Sequence, residues 1–217
     1  MSTPPDPLAQ LTPDELSAAT RSTLSHYQQF AESFREGTKD HDVSQNVDAL
    51  LRNLPKPGPQ RILDLGCGPG RDLATFLARG HKPVGLDGAA AFVDMARAAT
   101  GCEVWHQDFL ALDLPPERFE GIFANAVLFH VPTQALGRVL GDLRQTLVTG
   151  GVLFCSNPRG PDIEGRQSGL RYGAYLTFET WSRYVSAAGF ELIEHYYRPT
   201  GRPREEQPWL ATVWRAC

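Results

Sequence analysis

The segment Arg61-Ile62-Leu63-Asp64-Leu65-Gly66-Cys67-Gly68-Pro69-Gly70-Arg71-Asp72-Leu73 constrains this chain more than any other. Ile62, Leu63 and Leu65 make the near-continuous apolar run of a short parallel strand covered on both faces, and Leu73, Ala74, Phe76 and Leu77 then recur at helical spacing. The turn between them has to be tight. Gly66, Gly68 and Gly70 let the backbone take positive φ and let a ligand approach the main chain where a Cβ would collide, while the amides opening the helix point at whatever is bound. A cofactor loop is the reading this order supports, against the plainer one of a flexible turn. In a dinucleotide fingerprint the third glycine stands three residues after the second; here that position is Arg71 and the glycine comes one earlier, which argues against NAD.

This G-x-G-x-G after the acidic strand end Asp64 resembles the first motif of the S-adenosylmethionine (SAM) dependent methyltransferases of the Rossmann-like class. A second acid agrees with it. Asp87 ends the strand Pro83 to Asp87, about 20 residues beyond the glycine loop, where Rossmann-type folds place a carboxylate that accepts both ribose hydroxyls. The resemblance makes Asp64, Gly66, Gly68, Gly70, Arg71, Asp87 and Gly88 cofactor-binding residues, with SAM as cofactor and S-adenosylhomocysteine as product. It also implies that Asp108 accepts from the adenine amine and that the Phe109 amide meets a ring nitrogen; an acidic turn residue is the other reading of Asp108.

With 217 residues, 41% of them hydrophobic, the chain can bury one substantial core, and one domain is expected. A formal net charge of -4 leaves no basic field for a polyphosphate or a membrane surface, so neither nucleic acid nor membrane is an expected partner. Cys67, Cys102, Cys155 and Cys217 are scattered, with no C-x-x-C and no histidine pair at ligand spacing, so no metal is expected. The opening residues lack an apolar targeting run, and a cytoplasmic monomer or homodimer acting on a small molecule is expected.

Residues 1–11 read as a flexible N-terminus and 12–217 as the methyltransferase domain, with 12–58 as a helical lid. A helix is expected from Thr12-Pro13-Asp14-Glu15, where an N-cap precedes a proline and acids, to about Arg35, with one possible break. Tyr27, Phe30, Ala31 and Phe34 share a face, and Phe30 and Phe34 are expected to pack it on the domain. Class I methyltransferases often close an aromatic hydroxyl over the cofactor, which would give Tyr27 a cofactor role; a core tyrosine is the alternative. In the polar stretch from Glu36 to Asn46, two readings stay open. Asp42 or Ser44 caps the helix Gln45 to Leu54, or Asp40, His41, Asp42 and Gln45 face the cleft and bind substrate.

Further on, Gly101 to His106 reads as the third strand and Phe119 to Ala124 as the fourth, ending at Asn125. Ligands of open parallel sheets bind outside the carboxyl ends of the strands, so Asn125 borders the reacting methyl group and is both a cofactor and a catalytic candidate. His130 is the second catalytic candidate, either as a base or as a packed polar side chain. After the fifth strand, residues 156–176 are glycine-rich, arginine-studded and without clear period, and read as a substrate loop. Its candidates are Asn157, Arg159, Arg166 and Tyr172, and Arg204 joins them from the hairpin between the last two strands, since arginine, a forked cationic donor, is concentrated at this edge.

Together with the class resemblance these elements imply an α/β Rossmann-like fold with a seven-stranded mixed sheet, order 3-2-1-4-5-7-6 and an antiparallel last strand. Gly37 to Asn46, Gly121 to Pro132, Ser156 to Gly160 and above all the tail from Pro203 to Arg215 resemble one narrower family, the C-terminal methyltransferase domain of ovothiol synthases. That resemblance implies methylation of 4-mercaptohistidine (5-thiohistidine) on a ring nitrogen. The iron-dependent sulfoxide synthase region of the fused enzymes, with its histidine ligands, is not in this sequence, so a stand-alone methyltransferase is expected. Methylation of another small molecule such as a thiol is the alternative, a non-catalytic SAM-binding protein a third reading, and an oxidoreductase a distant fourth.

Overall fold

The computed structural model describes residues 5–167 and 171–217. Its strands are β1 (Arg61–Leu65), β2 (Lys82–Asp87), β3 (Val104–His106), β4 (Phe119–Asn125), β5 (Leu147–Pro158), β6 (Ile163–Gln167), β7 (Arg171–Tyr175), β8 (Phe190–Arg198) and β9 (Trp209–Ala216). One sheet has the order β3-β2-β1-β4-β5-β9-β8, and β6 pairs only with β7. Strands β1 to β5 pair in parallel, while β9 runs antiparallel to both neighbours, β5 and β8. With the β6–β7 hairpin set aside, this is the expected order 3-2-1-4-5-7-6. β8 therefore points the same way as β5, and the carboxyl ends of β1, β2, β4, β5 and β8 share one edge.

The helices are α1 (Pro13–Gln29), α2 (Ala31–Thr38), α3 (Ser44–Leu51), α4 (Arg71–Ala78), α5 (Ala90–Thr100), α6 (Thr133–Thr146) and α7 (Phe178–Ala187). Successive residues of a strand face opposite sides, and β1 shows the consequence. Leu63 and Leu65 pack with α6 and α7 through Leu136, Val139, Leu140 and Trp181, while Ile62 packs on the other face with Val47, Leu50, Phe76 and Phe123. All three β1 side chains are fully buried. Such burial contributes roughly 1.5–3 kcal/mol per side chain, so this strand is the rigid base on which the glycine turn stands. Among the described residues no helix is long and apolar enough to cross a membrane.

Several expectations need correction. The N-terminal helix breaks at Phe30, whose φ of -108° and ψ of 20° leave the helical region, and α2 then runs past Arg35 to Thr38. The break turns Phe30 outward, 43% exposed, so only Phe34 of the expected pair packs inward. Helix α3 stops at Leu51 rather than Leu54, and β3 starts at Val104 because Gly101 takes a left-handed conformation that ends α5. The stretch 156–176 is not a loop throughout: β5 continues to Pro158 and the β6–β7 hairpin follows, with residues 168–170 lying outside the described residues. Of the expected flexible N-terminus, residues 1–4 also lie outside them. Residues 5–11 are tied down: the amides of Leu8 and Leu11 donate to Thr133 Oγ1 (2.9 Å) and Gln134 Oε1 (2.7 Å), and the Asp6 carbonyl accepts from Tyr184. Contacts made by the backbone carry no periodic signal in sequence, which is why this stretch reads as loose.

Candidate active site

A cavity of about 720 Å³ opens at the carboxyl edge of the sheet, within the roughly 300–1,000 Å³ expected of a small-molecule site. One half of it lies beside the ends of β1, β2 and β3. There the glycine turn is pinned by the amides of Gly66 and Cys67, which both donate to the Leu86 carbonyl. A side chain at Gly66 would overlap Val127, and one at Gly88 would bring its Cβ to 2.6 Å from Leu24 of α1, so both glycines keep the main chain open to the cavity. Asp87 is held at its base. Its two oxygens accept from the Gly68 amide at 3.0 Å and the Ala89 amide at 2.9 Å, which fixes the carboxylate and leaves lone pairs for the hydroxyls of a ribose. Burial pushes the Asp87 carboxyl above the ordinary range, and the backbone amides work against that push. Asp108 accepts from the Leu110 amide at 2.8 Å and lines the cavity with Phe109.

Arg71 also reaches this wall, but as a clamp. It forks onto Asp72 at 2.8 and 2.9 Å and donates to the Thr38 carbonyl at 3.0 Å, fastening the end of α2 to the glycine turn. Asp64 and Gly70 do not line the cavity. Asp64 is buried beneath the turn, where burial first and the Asp72 carboxylate second raise its proton affinity strongly. Gly70 instead begins α4, close against Ala96 of α5.

The roof is built from α1, β7 and the turn after β4. Tyr27 places its hydroxyl 2.8 Å from His130 Nε2, and His130 Nδ1 lies 2.6 Å from the Tyr172 carbonyl. A carbonyl can only accept, so Nδ1 carries the proton and Nε2 accepts from Tyr27. The Tyr172 amide in turn donates to Thr23 Oγ1 of α1 at 2.9 Å, and Arg171 donates to the Tyr27 hydroxyl at 3.1 Å. Burial pushes His130 down to about 4, so it is neutral at pH 7. With both ring nitrogens engaged it latches the roof, and this corrects its candidacy as a base.

The second half of the cavity lies beside the ends of β4, β5 and β8. Asn125, Ser156, Arg198, Pro199 and Trp209 line it, together with Asp40, His41 and Asp42 from the connection between α2 and α3. Arg198 donates to the Asp42 carbonyl at 2.8 Å, and hydrogen bonds from Ser44 hold the Asp42 carboxyl below its ordinary range. Asn125 Oδ1 accepts from Asn46 Nδ2 at 2.9 Å.

Six expected substrate residues do not reach the cavity wall. The Arg159 guanidinium donates to the carbonyls of Gln207 (2.8 Å) and Arg204 (2.6 Å), so it braces the β8–β9 connection. Arg204 lies over the Tyr197 ring, Arg166 is exposed on β6, and Gln45 gives only its carbonyl to Tyr196. Asn157 faces a separate, minute space against Leu176 and Trp181, because alternation along β5 turns it away from Ser156. Tyr172 is buried and serves through its backbone. Sequence reasoning missed Arg171, Arg198, Trp209, Asp72, Phe34 and Phe92, all on the wall. A signal for two of them was present: Arg198 ends β8 and Trp209 begins β9, so both fall on the edge where strand carboxyl ends meet.

Comparison with known proteins adds the chemistry to this geometry. Residues 62–151 match a protein family described as a methyltransferase domain. A trans-aconitate 2-methyltransferase of Azoarcus sp. (strain BH72) is 36% identical over 115 residues, 52% of this chain and 45% of that protein. Another, of Rhodopseudomonas palustris (strain HaA2), is 32% identical over 141 residues, 64% of this chain and 53% of that protein. The chain thus spans about half the length of the curated relatives it matches. A crystal structure of Burkholderia thailandensis 1,6-didemethyltoxoflavin-N1-methyltransferase, with bound 1,6-didemethyltoxoflavin and S-adenosylhomocysteine, shares the fold with a TM-score of 0.77 at 23% identity, covering 99% of this chain and 94% of that one. A SAM-dependent methyltransferase from Mesorhizobium loti gives 0.66 at 25% identity, covering 77% and 96%. Residues 62–151 thus match a methyltransferase domain, set in a fold shared with SAM-dependent methyltransferases.

Proposed function

We propose that this methyltransferase acts on a small zwitterionic amino acid, 4-mercaptohistidine (5-thiohistidine), and methylates a nitrogen of its imidazole ring, as in ovothiol biosynthesis. The observation that carries the reading is the charge pattern of the cavity, where two guanidiniums, Arg171 and Arg198, share the wall with the carboxylates of Asp40 and Asp42. Among the described residues each arginine gives one N–H to a neutral oxygen, of Tyr27 or of the Asp42 backbone, and a guanidinium has further N–H groups in a fork that suits a carboxylate. An α-amino acid offers one carboxylate and one ammonium to match. The resemblance of the tail and of Gly37 to Asn46 to ovothiol methyltransferase domains points to the thioimidazole, and the Burkholderia enzyme, named for its N1-methylation, supports a ring nitrogen on this fold.

In this reading Asp87 takes the ribose hydroxyls, Asp108 and Phe109 take the adenine, and the open main chain at Gly66 and Gly88 accommodates the rest of the cofactor. SAM supplies, when bound, a methyl group on a positively charged sulfur that needs only a lone pair in line with the carbon–sulfur bond. The protein's task is therefore placement, which can lower a barrier by roughly 7–11 kcal/mol. No strong base is needed, and latched His130 is not one. The accepting nitrogen has to be unprotonated, so the proton on the other ring nitrogen needs an acceptor, for which Asp40 and ionised Asp42 serve.

A second reading is methylation of a carboxylate oxygen, which is favoured by the trans-aconitate methyltransferases among the relatives. The carboxylates of Asp40 and Asp42 on the wall oppose a substrate that carries three of its own. Calorimetry on the protein loaded with S-adenosylhomocysteine separates the two. Thiohistidine is expected to bind at least about tenfold more tightly than trans-aconitate, the equivalent of one charge-assisted hydrogen bond; the reverse order would select the second reading.

A further inference from the structure

Three elements distant in sequence meet in one partly buried chain of hydrogen bonds, centred on buried Asn46, that ends at the reacting half of the cavity. Tyr196 of β8 donates its hydroxyl to Asn46 Oδ1 at 2.9 Å, and Asn46 Nδ2, at the start of α3, donates to Asn125 Oδ1 at 2.9 Å. Asn46 is 1% exposed, so its amide is shielded from bulk solvent. The competing acceptor for Tyr196, the Gln45 carbonyl, is farther at 3.3 Å. Burial pushes the Tyr196 phenol up to about 12, and it keeps its proton at any working pH.

A phenol that donates leaves the amide of Asn46 one way round, and that amide leaves Asn125 one way round. We propose that Asn46 and Tyr196 are positioning residues that fix the Asn125 carboxamide with its carbonyl turned inward and its N–H groups presented to substrate. This rests on the function proposed above and deepens it. The same geometry removes Asn125 Oδ1 from the acceptors open to a ring N–H, leaving that task to Asp40 and Asp42. What Asn125 selects is a hydrogen-bond acceptor beside the methylated nitrogen. For a thioimidazole the acceptor is the sulfur, and this answers the selectivity problem of the reaction. Thiolate sulfur is a softer nucleophile than the ring nitrogen, and N–H donation into its lone pairs both holds it aside and weakens it.

Two variants of the full chain test this. Tyr196→Phe removes the polarity signal. Asn46→Asp keeps the shape but accepts where asparagine donates, so Asn125 has to turn its carbonyl to the cavity. Both are expected to bind S-adenosylhomocysteine within about twofold of wild type by calorimetry, which certifies the fold. With SAM and thiohistidine, kcat is expected to fall by roughly 10- to 100-fold at little-changed KM, as for small misplacements of a reacting group, and the product to shift from N-methyl toward S-methyl. Unchanged kcat and unchanged N-to-S ratio in both variants, with only the melting temperature lowered, would reduce the chain to a structural role and overturn the proposal. A second measurement is independent of substrate. In side-chain amide NMR of the protein loaded with S-adenosylhomocysteine, the Asn125 NH2 pair, identified by its loss in Asn125→Asp, is expected to move in Tyr196→Phe. If wild type methylates no thioimidazole, the substrate reading fails, and this resonance alone decides the positioning chain; an unmoved pair would sink it.

Discussion

The Asp87 carboxylate holds the Gly68 and Ala89 amides, and in the proposed function it also takes the ribose hydroxyls. Asp87→Ala removes an ionised acceptor worth about 1.5–3 kcal/mol. S-adenosylhomocysteine affinity is expected to drop about tenfold or more, and calorimetry that shows it unchanged in a folded variant would remove Asp87 from the cofactor site. The arginines allow a sharper comparison. Arg171→Gln and Arg198→Gln, each losing a fork on the cavity wall, are expected to raise the KM for the amino-acid substrate about tenfold or more. Gln at Arg159, Arg166 or Arg204 is expected to leave KM within about twofold. Steady-state kinetics with the opposite ranking would return the carboxylate to the arginines that the sequence singled out. Arg159 and Arg166 follow the fifth strand along the chain and Arg204 lies in the hairpin between the last two strands; side-chain direction, which at Arg159 is spent on backbone carbonyls, was not legible there.

At the scale of elements, the latch joins α1, β7 and the turn after β4 through Thr23, Tyr27, His130 and Tyr172. Its pH behaviour has a definite sign. His130 ordinarily titrates near 6.5 and is pushed down to about 4 in the fold, so between these values the unfolded chain binds the extra proton. Stability from this group is full above 6.5 and is lost as pH falls toward 4, by up to about 3 kcal/mol, given 1.36 kcal/mol per pKa unit. His130→Gln is expected to flatten that part of the pH profile in urea unfolding. A profile that keeps its slope would assign the effect to other groups. The helices and parallel strands around the latch were readable because apolar periodicity and glycine stops mark them. The β6–β7 hairpin was not: Glu164, Gly165 and Arg166 on one strand and Arg171, Tyr172 and Gly173 on the other carry no apolar alternation, and tertiary contacts to α1 define it instead.

Across the whole molecule, one edge of the sheet gathers both halves of the site. Its cofactor half was legible because a glycine turn and two strand-end acids recur at a spacing set by the fold, as Gly66 and Asp87 show. Its substrate half was legible only in part: Asp40, His41 and Asp42 stood out as a dense polar run, whereas Arg198 and Trp209 come from the far end of the sheet and Asn46 from the end of that run, where it opens α3. The central claim is that this arrangement delivers a methyl group to a ring nitrogen and keeps it from sulfur. The direct measurement is NMR of the product formed from 4-mercaptohistidine and SAM carrying a 13C-labelled methyl group. The account predicts a single labelled methyl bonded to nitrogen, in a product that still reacts with a thiol reagent; a labelled methyl on sulfur, or none transferred to this substrate, would contradict it.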